Sequence, residues 1–150
     1  MREITSLQNP HYKALLKLRD KRGRDSAKLF LVEGLAEIKR ALSSDFELSE
    51  LVYSDCEPSL ETSFSHLPPK TMLALASSLY KKLALREENG GYIGVFKQKK
   101  ADLEHFLTTR PSLILILEDL EKPGNLGAIC RSSVGAGVDG IFVLGKSVDI

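Results

Sequence analysis

The sequence predicts an α/β protein in two parts. Three observations lead there. Short β-prone runs alternate with helical stripes from residue 10 to residue 97. A continuous apolar run, Leu113 to Leu117, then opens a strand–helix–strand pattern. Charge falls in blocks that change sign along the chain: net +5 over residues 1–40, −5 over 41–70, +4 over 71–101 and −3 over 102–150. The expected organisation is a domain over 1–100, a linker over 101–111, and the start of a second domain over 112–150.

The elements follow in order. Asn9 is placed to cap a helix, and Pro10 suits its first position, where a missing N–H costs nothing. Tyr12, Leu15 and Leu16 form its apolar stripe, with Lys13, Lys17 and Lys21 every four residues on another face. KRGRDS reads as a basic turn. Leu29 to Val32 reads as a strand, and Leu35, Ile38 and Leu42 as the stripe of a second helix. Leu48 to Tyr53 is a strand, Glu57 to Lys70 a loop or irregular helix, and Thr71 to Leu75 a third strand. Ser77 or Ser78 caps a short helix carrying Leu79, Tyr80 and Leu83. Glu88-Asn89-Gly90-Gly91 is a turn, with a strand over Tyr92 to Phe96. The connector carries a short helix over Leu103 to Leu107. Residues 113–119, LILILED, read as a strand buried on both faces. LEKPGN is a loop, Leu126 to Val134 a helix, and GIFVLG (140–145) the next buried strand. Such a unit has parallel strands and a right-handed crossover.

Composition excludes several classes. With 43% hydrophobic and 27% charged residues the chain is not of the disordered type. At 150 residues it buries roughly two-thirds of its extended surface, enough for a true core. The longest apolar run is too short to span a bilayer, and MREITSLQNP lacks the apolar core of a signal peptide. A cytoplasmic protein with no membrane partner is expected, its Cys56 and Cys130 reduced thiols. His11, His66 and His105 are scattered, so no metal site or catalytic triad is expected.

Two features carry chemistry. Pro123-Gly124 makes a turn just after a strand, where ligand sites of open α/β sheets lie. Asn125 would be the N-cap there, beside the backbone N–H groups of Gly127 and Ala128. Arg131, six residues on, is not on the same stripe but can still reach a phosphate. The plain reading makes Asn125 a cap and Arg131 a solvated side chain. Glu118 and Asp119 at the strand end either bind ligand hydroxyls or cap the loop. The second feature is the N-terminal basic set, with Lys13, Lys17, Arg22, Arg24 and Lys28 as candidate phosphate contacts, or else a solvated helix face. Gly135-Ala136-Gly137-Val138-Asp139-Gly140 matches a dinucleotide fingerprint in letters only. Its glycines close a helix and lead into a strand, the reverse of what the fingerprint needs.

The string LEDLEKPGNLGAICRSSVGAGVDGIFVLGKSVDI resembles the first motif of the SpoU (TrmH) family of RNA ribose 2′-O-methyltransferases, members of the SPOUT superfamily. The residues that carry it are Glu118, Asp119, Pro123, Gly124, Asn125, Gly127, Arg131, Gly137, Val138 and Asp139. ITSLQNPHYKALLKL, Arg24 and LFLVEG (29–34) are similar to that family's L30e-like substrate-binding domain. The resemblance implies an L30e-like α/β domain followed by the first βαβ portion of an α/β knot. It implies methyl transfer from S-adenosylmethionine to a ribose 2′-hydroxyl of rRNA or tRNA. It implies RNA as partner and a homodimer for the complete protein. Arg131 and Asn125 take the catalytic roles, while Glu118, Pro123, Gly124 and Gly127 form the motif loop. The family's donor-binding motifs are expected beyond residue 150, so these 150 residues alone are expected to be inactive. The alternative is a non-catalytic RNA-binding module of the L30e-like type.

Overall fold

The computed structural model describes residues 2–55, 64, 67, 68, 71–86 and 90–146. Cys56, His66, most of the 57–70 stretch and part of the 88–91 turn lie outside the described residues. The chain divides into two compact units, Met1–Lys99 and Lys100–Ile150.

The first unit holds β1 (Arg2–Ile4), α1 (Pro10–Lys17), α2 (Lys21–Ala27), β2 (Leu29–Glu33), α3 (Leu35–Ser43), β3 (Leu48–Ser54), β4 (Met72–Leu75), α4 (Ser77–Leu83) and β5 (Tyr92–Lys97). Its five strands form one mixed sheet in the order β1-β4-β3-β5-β2. β4 runs parallel to both β1 and β3, while β5 is antiparallel to β3 and β2. Side chains alternate between the two faces, as the strand period of two requires. Val52, Leu73, Leu75, Ile93 and Val95 join Tyr12 and Leu15 of α1, Leu18 just after it, and Leu79, Tyr80 and Leu83 of α4 in one core. Leu51, Tyr53, Met72, Ala74, Tyr92 and Phe96 join Ile38 of α3 and Phe64 in the other. The central strands are therefore buried on both faces. On the α1 side the Tyr12 hydroxyl donates to the Leu79 carbonyl at 2.9 Å, tying α1 to α4.

Asn9 caps α1 as its sequence implies, accepting from the N–H groups of His11 and Tyr12, with Pro10 in the first turn. Three local readings differ from the sequence expectation. KRGRDS is a helix, α2, not a turn. Its Gly23 packs onto α1 so closely that a Cβ there would stand 1.9 Å from the Lys17 carbonyl oxygen, so the missing side chain is what lets the helices meet. α1 ends before Lys21, which belongs to α2, so the run Lys13, Lys17, Lys21 is split between two helices. The cap of α4 is Ala76, whose carbonyl accepts from Leu79 and Tyr80, with Ser77 and Ser78 already inside the helix. β1 has no sequence signal; it is three residues long and pairs with a strand far along the chain.

The second unit holds α5 (Leu103–Thr108), β6 (Ile114–Glu118), α6 (Pro123–Gly135) and β7 (Gly140–Leu144). β6 and β7 pair in parallel, from Ile114↔Gly140 to Glu118↔Leu144. The stretch read as a linker carries α5, whose Phe106 ring meets Phe142 edge-on at 6.0 Å. A Cβ on Gly140 would stand 2.5 Å from that ring, so the bare backbone makes room for it. β6 is not buried on both faces. Leu115 and Leu117 are half-buried, whereas Ile114 and Ile116 are exposed, so the apolar run becomes an alternating strand. In α6 the helix closes with Gly137 at φ +71°. Val138 N–H donates to the Ser133 carbonyl and Gly137 N–H to that of Val134, a Schellman ending. The glycine-rich string thus stops a helix and enters a strand.

Candidate functional site

The turn after β6 and the start of α6 form the first candidate site. α6 begins three residues earlier than expected, because Pro123, with φ already fixed near helical, takes the first position. Asn125 is consequently not the N-cap. That place falls to Lys122, which makes no side-chain capping bond, and the Asn125 N–H donates to the Lys122 carbonyl at 3.0 Å. Asn125 stands exposed in the first turn, its side chain released from capping. Gly124 is equally bare: a Cβ there would meet nothing within 4 Å.

Arg131 folds back along α6. A Cβ on Gly127, one turn earlier, would lie 3.7 Å from its Nη1. A long helical side chain leans toward the N-terminus over the residue four positions before it, and a glycine there leaves the path clear. The guanidinium is thereby carried toward the α6 start, a helix end that favours anions. The structure brings Arg131, Gly127 and Gly124 onto one side of the helix and leaves Asn125 off that stripe.

The acidic pair separates into two roles. Glu118 is exposed at the end of β6. Asp119 adopts φ +50°, accepts from the Lys146 N–H at 2.9 Å, and donates its own N–H to the Leu144 carbonyl at 3.2 Å. It ties the end of β6 to the end of β7. Asp139 does the same at the other end. One carboxylate oxygen accepts from Ser112 N–H at 2.7 Å, Ser112 Oγ at 3.0 Å and Leu113 N–H at 3.0 Å. The Leu113 and Ser112 backbone bonds, with the Ser112 hydroxyl, hold its carboxyl below the ordinary range. Asp119 takes the loop-capping role that the sequence offers it, whereas the clamp at Asp139 is not expected from the sequence. Their signal is an acid beside each strand end.

The second candidate site is the basic block of the first unit. Lys13, Lys17, Arg22 and Lys28 are exposed. Lys13 bonds Gln8 Oε1 at 2.5 Å. Arg24 is turned inward: its Nη1 donates to the carbonyls of Leu18 at 3.1 Å and Arg19 at 2.9 Å, at the end of α1. Arg19 likewise donates to the Lys82 carbonyl at 2.7 Å. Four of the five named cations thus face solvent and the fifth closes a helix end.

The first unit, then, is a closed α/β domain with a basic helical face, and the second a parallel βαβ unit with a glycine-bare helix start and a folded-back arginine. The family model described as the MRM3-like substrate binding domain matches residues 9–94. The chain is 37% identical to the crystal structure of an RNA 2′-O ribose methyltransferase, with TM-score 0.77, over 98% of this chain and 57% of that one. It is 28% identical to an AdoMet-bound rRNA methyltransferase from Sinorhizobium meliloti, with TM-score 0.80, over 99% of this chain and 56% of that one. It is 29% identical to an uncharacterised tRNA/rRNA methyltransferase of Synechocystis, over 97% of this chain and 54% of the relative. The chain belongs to the MRM3-like substrate-binding family and, with it, to the SpoU/TrmH RNA methyltransferases. It spans about half the length of the curated relatives it matches.

Proposed function

We propose that the chain serves an enzyme that transfers a methyl group from S-adenosylmethionine to a ribose 2′-hydroxyl of rRNA or tRNA. One observation carries the reading: the Arg131 guanidinium lies back over Gly127, beside the bare start of α6 that follows β6. A guanidinium stays charged across the working range of an enzyme, so it is a poor base. Its part is to hold the phosphate beside the target ribose and to stabilise the developing alkoxide. Asn125, freed from capping, offers an amide to the same region. Glu118, Pro123, Gly124 and Gly127 shape the turn. S-adenosylmethionine, when bound, supplies the methyl group. The open backbone at Gly124 and the exposed Glu118 fit one wall of a site for it.

RNA enters on the first unit, where Lys13, Lys17, Arg22 and Lys28 supply phosphate contacts and Arg24 holds the α1–α2 corner that presents them. This reading places the protein in the cytoplasm and makes the complete enzyme a homodimer. No helix among the described residues is long and apolar enough to cross a membrane. The test is Arg131→Ala in the complete enzyme with RNA substrate. Methyl transfer falls by about 100-fold or more if the guanidinium stabilises the developing charge, as loss of one such donor does elsewhere. Near-normal transfer refutes the assignment. Calorimetry of the 150-residue chain with S-adenosylmethionine should show weak binding; tight binding would overturn the expected inactivity of this segment.

A further inference from the structure

The first unit carries a second polar cluster that the methyl-transfer reading leaves unused. Glu50 lies on β3 at a bulge, where the register against β5 shifts between Leu48 and Glu50. Its side chain is only 7% exposed. Arg2 Nη1 reaches one carboxylate oxygen at 3.3 Å and His11 Nε2 the other at 2.7 Å. The two partners are themselves open, at 52% and 42% side-chain exposure. Beside them a groove of about 310 Å³ runs between α1 and the sheet. Away from the charged cluster its walls are mostly apolar, with Leu15 from α1, Leu18 just after it, Leu29 from β2 and Val95 from β5. Glu50 shares the α1 face of β3 with Val52, so its buried carboxylate, paired with Arg2 and His11, stands at the end of an apolar slot.

We propose that this groove binds a guanine base. Its volume is at the small end of ligand pockets, about 300–1,000 Å³, which suits one flat ring system. Each oxygen of an ionised carboxylate accepts more than one hydrogen bond, so Arg2 and His11 leave acceptor sites on Glu50. Guanine presents two adjacent donors, N1–H and the N2 amino group, which match a carboxylate, and next to them the O6 acceptor, which matches the Arg2 guanidinium. Adenine turns an unprotonated ring nitrogen toward the same carboxylate. Uracil offers one donor between two acceptors, and cytosine one donor beside an acceptor. Only guanine avoids placing a lone pair against Glu50. Lys17 and Lys28, both exposed, adjoin the lining residues Leu18, Ala27 and Leu29 along the chain. Single-stranded RNA is read in this way, by splayed bases bonded on their Watson–Crick edge with phosphates held outside. That the base belongs to an RNA strand rests on the proposed function; the guanine site itself does not.

The test is a titration of the full 150-residue chain, followed by amide NMR, with guanosine, inosine and adenosine monophosphates. The guanine nucleotide should bind at least about fivefold tighter than the other two, the discrimination a good bidentate pair gives. The shifts should centre on Leu15, Leu18, Leu29 and Glu50. Glu50→Gln, which replaces an acceptor with a donor, should abolish the preference. Ala14→Phe, which adds a ring to the groove lining and leaves Glu50 in place, should block binding if Glu50→Gln does not fold. Equal response to the three nucleotides, no response, or a preference that survives either folded variant would overturn the site. Two RNA pentamers, UUGUU and UUAUU, distinguish the source. A guanine preference in the pentamers assigns the base to RNA. Binding of the mononucleotide with neither pentamer bound keeps the site for a free nucleotide and counts against the RNA surface proposed above.

Discussion

Replacing Arg24 with alanine should weaken the fold and leave the electrostatics of RNA binding nearly intact. The Arg24 guanidinium donates to two carbonyls at the end of α1, those of Leu18 and Arg19. A net hydrogen bond contributes about 0.5–1.5 kcal/mol, more when one partner is charged. A cation at a helix C-terminus adds about 0.3–1 kcal/mol. Against this, Arg24 is only half-buried, so water replaces part of what is lost. A cost of about 1 kcal/mol remains, which lowers the melting temperature of a domain this size by about 4–8 °C. Lys17→Ala is the control. Lys17 is exposed in the last turn of α1, so its loss should lower the melting temperature by less than that of Arg24. It should instead reduce the slope of log affinity against log salt by about 0.7, the contribution of one phosphate on a single strand. Circular dichroism melts and fluorescence-anisotropy titrations from 50 to 200 mM salt, a span that separates such slopes, give the two readouts. If Arg24→Ala keeps its melting temperature and loses a phosphate's worth of slope, Arg24 is an RNA contact and its role at the α1–α2 corner is refuted.

Gly23→Ala should destabilise although alanine is the better helix former by about 1 kcal/mol. The added Cβ would stand 1.9 Å from a backbone oxygen, and such overpacking costs about 1–3 kcal/mol, so calorimetry should show a net loss. Tyr12→Phe should cost about 1 kcal/mol by removing the bond to the Leu79 carbonyl, read by chemical denaturation. Burial also raises the Tyr12 pKa above 10.0, so its hydroxyl contributes stability that is complete below pH 10 and fades as pH rises toward the folded value; the phenylalanine variant should lose that part of the alkaline dependence. Asp139 has the opposite sign. Its folded pKa is depressed below 3.8, so its contribution is present above that pH and is lost as pH falls through the depressed value. The Ser112 and Leu113 amide shifts should titrate with a midpoint under 3.8, and Asp139→Asn should abolish that titration.

What the sequence reveals about this protein depends on how local the cause is. α1 is legible because its cap, its proline and its apolar stripe all lie within ten residues. α2 is not, because a polar, glycine-containing heptapeptide becomes helical by packing Gly23 against Lys17. β1 exists only through its parallel pairing with β4. At the turn after β6, the motif resemblance names Asn125 and Arg131, but the helix starts three residues earlier than its sequence implies, because Pro123 reads as a turn as readily as a first helical position. The same distinction governs the charges. The basic block is visible in any residue count, yet a count treats every cation alike. Arg19 and Arg24 are bonded to backbone carbonyls, Arg2 faces a buried carboxylate, and Lys13 meets Gln8. Which cations remain for phosphate is thus a property of tertiary hydrogen bonding. Glu50 is the one charged residue in LSELVYS, and strand alternation puts it on the α1 face with Val52, but its pairing with Arg2 and His11 appears only in the tertiary structure.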